Sequence, residues 1–89
     1  MASTLPASFA RSQSQKLMNQ ICHENYHPCH GVQIQQCSRK SAHRVDCKAA
    51  LHYAENGVNK TCRASVTSRL SGNTVTTHVL RATVKCSPD

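Results

Sequence analysis

Six cysteines in a chain of 89 residues constrain this fold more than any other feature of the sequence. A chain this short buries only a modest fraction of its surface, and this one has no Trp, one Phe and two Tyr with which to build a core. Small domains with so few large apolar side chains usually need covalent or metal staples. An even cysteine count favours three disulfides and an oxidising compartment. A thiolate metal site is less favoured, because the chain has no C-x-x-C pair.

The longest stretch with a period of two runs from Thr61 to Cys86. It predicts an antiparallel hairpin with one packed and one basic face, turning at Ser71-Gly72-Asn73. On the second strand of this hairpin, Leu80, Ala82, Val84 and Cys86 are predicted to be buried. The residues predicted to be solvent-exposed are Arg81, Thr83 and Lys85.

The remaining patterns complete an α+β fold. Apolar residues at helical spacing, among them Phe9, predict a helix over residues 6–26 after a loose N-terminus at residues 1–5. Alternating segments predict strands over 31–37 and 43–53, joined by a turn at 38–41, and Asn56-Gly57 is a strong hairpin signal. We therefore expect one domain, in which one N-terminal helix packs on a four-stranded antiparallel meander sheet over residues 31–86, stapled by disulfides and followed by a tail at 87–89.

The cysteine positions fit this layout. Cys37 and Cys47 have matching parity on neighbouring strands, as do Cys62 and Cys86, while a Cys22–Cys29 bridge closes a short loop after the helix. This neighbour pairing is one of fifteen connectivities that six cysteines allow.

The sharpest local motif is H-E-x-x-H, from His23 to His27. On a continuous helix, two histidines four residues apart can bind one zinc ion while the intervening Glu24 acts as the catalytic base. Pro28 directly follows the motif and argues against a continuous helix. The third ligand stays open, and the candidates are His30, His52, Glu55 and His78. Zinc is therefore an alternative cofactor, and the main expectation is no cofactor.

Other catalytic signatures are missing from the sequence. No serine lies in G-x-S-x-G, no phosphate-binding glycine motif is present, and the four acidic residues are far apart. An enzyme is less expected than a binding protein.

The formal charge of +7 favours acidic partners. Basic side chains alternate with Ser and Thr along the predicted wet face of the sheet, which predicts a surface for phosphate or sulfate groups. The candidate binding residues are Arg44, Lys48, Arg63, Arg69, Arg81 and Lys85.

The pattern of cysteines and turns, with Cys37-x-Arg39, Arg44-Val45-Asp46-Cys47 and the Cys62–Cys86 hairpin, resembles small disulfide-bonded domains of bacterial exported proteins of unknown function. The resemblance covers about residues 17–86 and implies export and a helix-plus-sheet fold, but no activity and no site residues. The layout is also similar to cystatin-like inhibitors, although their Q-x-V-x-G loop is absent here.

Together these patterns predict a small basic module, exported to an extracellular or periplasmic space, that binds or inhibits an acidic macromolecule or protein surface. No segment approaches eighteen apolar residues, and the start does not read as a signal peptide, so we expect a mature monomer without a membrane span. The alternatives are a zinc hydrolase and a structural domain without a ligand of its own.

Overall fold

One helix followed by four antiparallel strands makes up this chain, as a computed structural model shows for residues 3–89. The elements are α1 (Ala7–Asn25), β1 (Cys29–Ser41), β2 (Arg44–Glu55), β3 (Val58–Ser71) and β4 (Thr74–Pro88). The strands lie side by side in chain order, so the sheet is a meander. The predicted α+β fold is confirmed.

Helix α1 packs through a narrow seam on one face of the sheet, mainly against β1 and β2. Ala10, Ser14, Met18 and Cys22 are buried along it, and their spacing of four residues places them in one line on the helix surface. The Ser14 hydroxyl donates a hydrogen bond to the carbonyl of Ala10 at 2.8 Å, which satisfies it inside the seam. Phe9, which the helical pattern assigned to the packed side, is 43% exposed because it lies beside this seam.

The sheet face beneath α1 carries the core. Val45, Cys47, Ala49 and Leu51 alternate along β2, and each is at most 1% exposed. Their partners on β3 are also packed, as the pair Cys47 and Val66 illustrates. This is the alternation expected when one face of an antiparallel sheet is covered.

Three disulfides staple the fold and leave no free cysteine among the described residues. They join Cys22 to Cys29, Cys37 to Cys47 and Cys62 to Cys86, the neighbour pairing that strand parity favoured. The last two bridges connect residues directly opposite each other in the sheet register. Three disulfides are compatible with an oxidising environment.

Two of the three turns follow their sequence signals. Asn56 and Gly57 have φ values of 53° and 77°, and positive φ at both central residues is the requirement of a type I′ hairpin turn. Gly72 supplies the same left-handed backbone between β3 and β4. The first turn is tighter than expected. Strand β1 continues through 38–41, which the sequence predicted as a turn, and pairs with β2 up to Ser41 and Arg44.

Both ends of the chain are more ordered than the sequence suggested. Leu5 is fully buried, its N–H donates to the carbonyl of Ala42 at 2.8 Å, and its own carbonyl accepts from Arg39. Part of the predicted loose end is thus held by the β1–β2 turn, while residues 1 and 2 lie outside the described residues. At the other end, β4 runs to Pro88, and the Asp89 N–H donates to the carbonyl of Asn59 at 3.0 Å. The predicted tail is therefore mostly strand.

A large bulge interrupts β4. Ser65 pairs with Leu80 and Arg63 pairs with Lys85, so residues 81–84 lie opposite the single residue Ala64. The Thr83 hydroxyl fixes the bulge: it accepts from the N–H of Ser65 at 2.8 Å and donates to the carbonyl of Leu80 at 2.6 Å. A bulge changes which side chains face the core. The part of β4 that precedes the bulge therefore has the opposite alternation of buried and exposed side chains to the one predicted from the sequence. Leu80, predicted as buried, pairs with Ser65 on the face away from the helix.

Among residues 3–89, no helix is long and apolar enough to cross a membrane.

Candidate functional site

The sheet face opposite α1, called here the outer face, carries most of the candidate binding residues. Strand parity places Arg44 and Lys48 of β2 and Arg63 and Arg69 of β3 on this face, because the residues next to them pack under the helix. Lys85 of β4 joins them as the direct partner of Arg63. Five of the six predicted binding residues therefore share one surface.

The middle of the outer face holds a central cluster formed by Lys48, Arg63 and Lys85. Arg63 and Lys85 are Cα partners, and Lys48 pairs with Ser65, two residues along β3 from Arg63. Diagonal neighbours of this kind lie about 7–8 Å apart. The three residues make no ion pair within the described part of the chain. A shallow cavity of about 140 Å³ lies beside Lys48 and Arg63 and is lined also by Gln35 and Thr83.

The second group of basic residues, the hairpin-end cluster, consists of Lys40, His43, Arg44 and Arg69, of which the lysine and the two arginines carry positive charge. These side chains line an open cavity of about 600 Å³ beside the β1–β2 and β3–β4 turns, together with Ser41, Leu70, Ser71 and Thr76. Cavities of about 300–1,000 Å³ are the size range of ligand sites. Arg44 and Arg69 are direct Cα partners on neighbouring strands. The cavity therefore presents a rim of cationic and hydroxyl groups.

The carboxylate of Asp46 orients Arg44 within this cluster. Asp46 accepts two hydrogen bonds from Arg44, at 3.0 Å to Nε and 2.9 Å to Nη2, and a third from Thr67 at 2.6 Å. Burial alone raises the pKa of Asp46, but the bonds from Arg44 and Thr67 and the charges of Arg44 and Lys40 outweigh it and hold that pKa below its ordinary value. The hydrogen bond to Asp46 likewise raises the pKa of Arg44. Arg44 is fixed in place, and Arg69 opposite it has no such partner among the described residues.

Each of the four acidic side chains of the chain has an ion-pair or hydrogen-bond partner outside the central cluster. Asp46 binds Arg44, and Glu55 binds Lys60 at 3.1 Å. Glu24 accepts from Gln20, and Asp89 accepts from Thr61, whose oxygen also lies 3.0 Å from Nδ1 of His52. No carboxylate of the described residues is therefore left to neutralise the central cluster.

Arg81 does not belong to the outer face. The bulge in β4 places it on the helix side, where it lines a cavity with Met18 and Ile21 of α1. The alternating pattern along β4 predicted that Arg81 lies on the solvent-exposed face together with Lys85, whereas the bulge places it on the other face. An uninterrupted alternation cannot be read across an insertion of several residues.

The H-E-x-x-H segment is divided by the end of the helix. Helix α1 ends at Asn25, so His23 lies in its last turn and His27 lies beyond it. The side chains of a zincin motif need one continuous helix face, which this backbone does not provide. Among residues 3–89, no group of three His, Cys, Asp or Glu side chains is arranged to hold a metal ion. The segment Cys22–Cys29 is instead closed by its disulfide.

Two residues of the hairpin-end cluster, Lys40 and His43, were not among the predicted site residues. They lie at a turn whose position the sequence misplaced, since residues 38–41 read as a polar turn and are in fact the end of β1, while the turn itself is Ala42-His43. The basic run Arg39-Lys40 next to His43-Arg44 was the available signal.

Compared with protein-family models, with curated proteins and with solved structures, the chain matches none of them.

Proposed function

We propose that this chain is a small exported binding module that holds a polyanion on the outer face of its sheet. The ligand groups are phosphate or sulfate esters repeated along a linear polymer. The module works as a monomer in an extracellular or periplasmic space, where its three disulfides persist. Its resemblance to small disulfide-bonded domains of bacterial exported proteins is in keeping with that location.

The observation that carries the proposal is the pairing of like charges across neighbouring strands. Arg44 lies directly opposite Arg69, and Arg63 lies directly opposite Lys85. Like charges in directly opposed positions destabilise a sheet. Asp46 offsets the charge of Arg44, but Arg63, Arg69 and Lys85 have no ion pair among the described residues, so an anionic ligand would relieve their repulsion. Edge protection accounts for Lys85, which lies on the edge strand β4, but it does not account for the arginines, because β2 and β3 are the inner strands of this sheet.

The spacing of the two clusters suits an extended ligand. Arg63 and Arg69 are six residues apart on one strand, which corresponds to about 20 Å at the rise of an antiparallel strand. The molecule is 53 Å long and 19 Å in the other two directions. A linear polymer lying along the strands therefore reaches both clusters, whereas a single small anion reaches one.

The chemistry of the face favours backbone charges over base recognition. The chain has only three aromatic residues, and the ring pair Tyr26–Tyr53 contributes to the packing under the helix. Single-stranded nucleic acid is usually held by aromatic stacking, so the proposal is limited to the charged backbone of the ligand. Discrimination between phosphate and sulfate polymers is an outcome of the experiment.

The test compares two double variants with equal loss of charge. Lys48→Gln with Arg63→Gln removes two outer-face charges, while Lys16→Gln with Arg81→Gln removes two charges from the helix side. Binding to fluorescein-labelled duplex DNA and to a heparin oligosaccharide is measured by anisotropy between about 50 and 200 mM salt.

For duplex DNA, each neutralised phosphate contributes about −0.9 to the slope of log K against log salt. We expect the outer-face variant to reduce that slope by about 2 and the helix-side variant to leave it unchanged. Equal weakening by both variants would show attraction to net charge alone. Binding to neither polymer, with binding to an acidic protein instead, would replace the polyanion by a protein surface.

A further inference from the structure

The helix side of the sheet carries a further cavity, which is mainly apolar. It has a volume of about 180 Å³ and lies between the C-terminal half of α1 and the bulge of β4. Met18 and Ile21 line it from the helix, and Val79 and Val84 line it from β4. Val84 is 40% exposed, so the cavity opens to solvent.

The bulge makes this cavity a permanent feature of the fold. Residues 81–84 bow away from Ala64, and the hydroxyl of Thr83 bonds both Ser65 and Leu80. The Cys62–Cys86 disulfide fixes the strand directly after the bulge. Strand β4 is therefore not free to close over the opening without breaking these bonds.

Its shape and lining suit a short hydrocarbon chain. An apolar protein cavity of about 150 Å³ holds benzene, so this one accommodates a chain of roughly six to eight carbon atoms. Tyr26 lies at the same cavity, with its ring centroid 4.6 Å from that of Tyr53. It supplies a spectroscopic reporter, since the chain has no Trp.

The positive charge of Arg81 at the cavity indicates the chemistry of the polar end of a ligand. Within the described part of the chain, Arg81 is the one charged residue lining the cavity, and it has no ion pair there. The four carboxylates of the chain are engaged at other positions, as described above. The Arg81 side chain is exposed, so its guanidinium is accessible to an anionic group of a ligand in the cavity.

We propose that this cavity binds a medium-chain alkyl carboxylate, with the chain against Met18, Ile21 and Val79 and the carboxylate at Arg81. This site is on the opposite face from the proposed polyanion surface and does not depend on it. The competing explanation is that Arg81 is an exposed charge that protects the edge strand β4 from pairing with another chain.

The experiment titrates the oxidised protein with octanoate and with octan-1-ol, followed by calorimetry and by tyrosine fluorescence. We expect saturable binding of one octanoate. We expect Arg81→Gln to weaken octanoate about tenfold, the effect of losing a charge-assisted hydrogen bond, and to leave octan-1-ol unchanged. The control Lys85→Gln, on the same strand but on the outer face, should change neither ligand.

A second variant guards against an uninformative result. Val84→Glu at an exposed position supplies a carboxylate beside Arg81, and we expect it to weaken octanoate at least as much as Arg81→Gln does. The proposal is overturned if the wild-type protein does not bind octanoate saturably, or if Arg81→Gln and Lys85→Gln weaken it equally. Circular dichroism establishes that each variant is folded.

Discussion

Reduction of the three disulfides should unfold this protein completely, and the structure gives the size of the effect. In the chain-entropy description, a bridge stabilises the fold by restricting the unfolded chain, and the contribution grows with the loop that it closes. The bridges span 7, 10 and 24 residues. These spans give about 2.4, 2.7 and 3.4 kcal/mol, which is about 8 to 9 kcal/mol together.

That total is comparable with the whole stability of a domain of this size, since about 0.05–0.15 kcal/mol per residue corresponds to roughly 4–13 kcal/mol. The core that remains is small: its largest fully buried side chains are Leu5 and Leu51. We therefore expect the oxidised chain to unfold cooperatively in urea and the reduced chain to show no cooperative transition at 25 °C.

The assay is urea unfolding followed by far-UV circular dichroism, with and without a phosphine reductant, and with intact mass to establish the redox state. Paired alanine variants separate the bridges. Loss of Cys62–Cys86 should cost the most, and loss of Cys22–Cys29 should cost less in chain entropy because its loop is shorter. If the fully reduced chain unfolds at the same urea concentration as the oxidised chain, the disulfides do not contribute the calculated stability.

Two further predictions concern single residues. The pKa of Asp46 is below its unfolded value of about 4, so its ionised form stabilises the fold above that pH, and the stabilisation is lost as the pH falls through the folded-state pKa. The difference in free energy of unfolding between wild type and Asp46→Asn should therefore shrink as the pH falls below about 4, and a constant difference would contradict the assignment. Gly57 has φ of 77°, so Gly57→Ala should destabilise the β2–β3 hairpin by about 1 kcal/mol in urea unfolding, and an unchanged free energy of unfolding would contradict this role of Gly57.

The sequence was sufficient for the architecture because its signals are local and agree with one another. A helical seam, four alternating segments, Asn56-Gly57 and Gly72 each specify one element or turn, and matching parity brings the cysteines of neighbouring strands together. What the sequence did not reveal depends on contacts between distant parts of the chain. Leu5 is ordered by a bond to Ala42, and no local pattern records that bond.

The sequence likewise predicted part of the candidate site correctly and part of it incorrectly. Arg63 and Lys85 were assigned to one surface and lie on it as Cα partners. Arg81 was misplaced because the bulge that turns it towards the helix is fixed by the hydroxyl of Thr83, an exposed threonine like several others in the strand. An alternating pattern gives the period of a strand, but it does not give the position at which the period is interrupted.

The most direct test of the proposed function is a map of the residues that respond to a polyanion in solution. Backbone amide chemical shifts of the ¹⁵N-labelled oxidised protein are followed during titration with a heparin oligosaccharide and, separately, with a short DNA duplex. We expect the largest shifts on the outer face, at Lys48, Arg63, Arg69 and Lys85, while Lys16 on α1 and Arg81 change little. Shifts concentrated on α1, or spread evenly over all basic residues, would contradict this expectation.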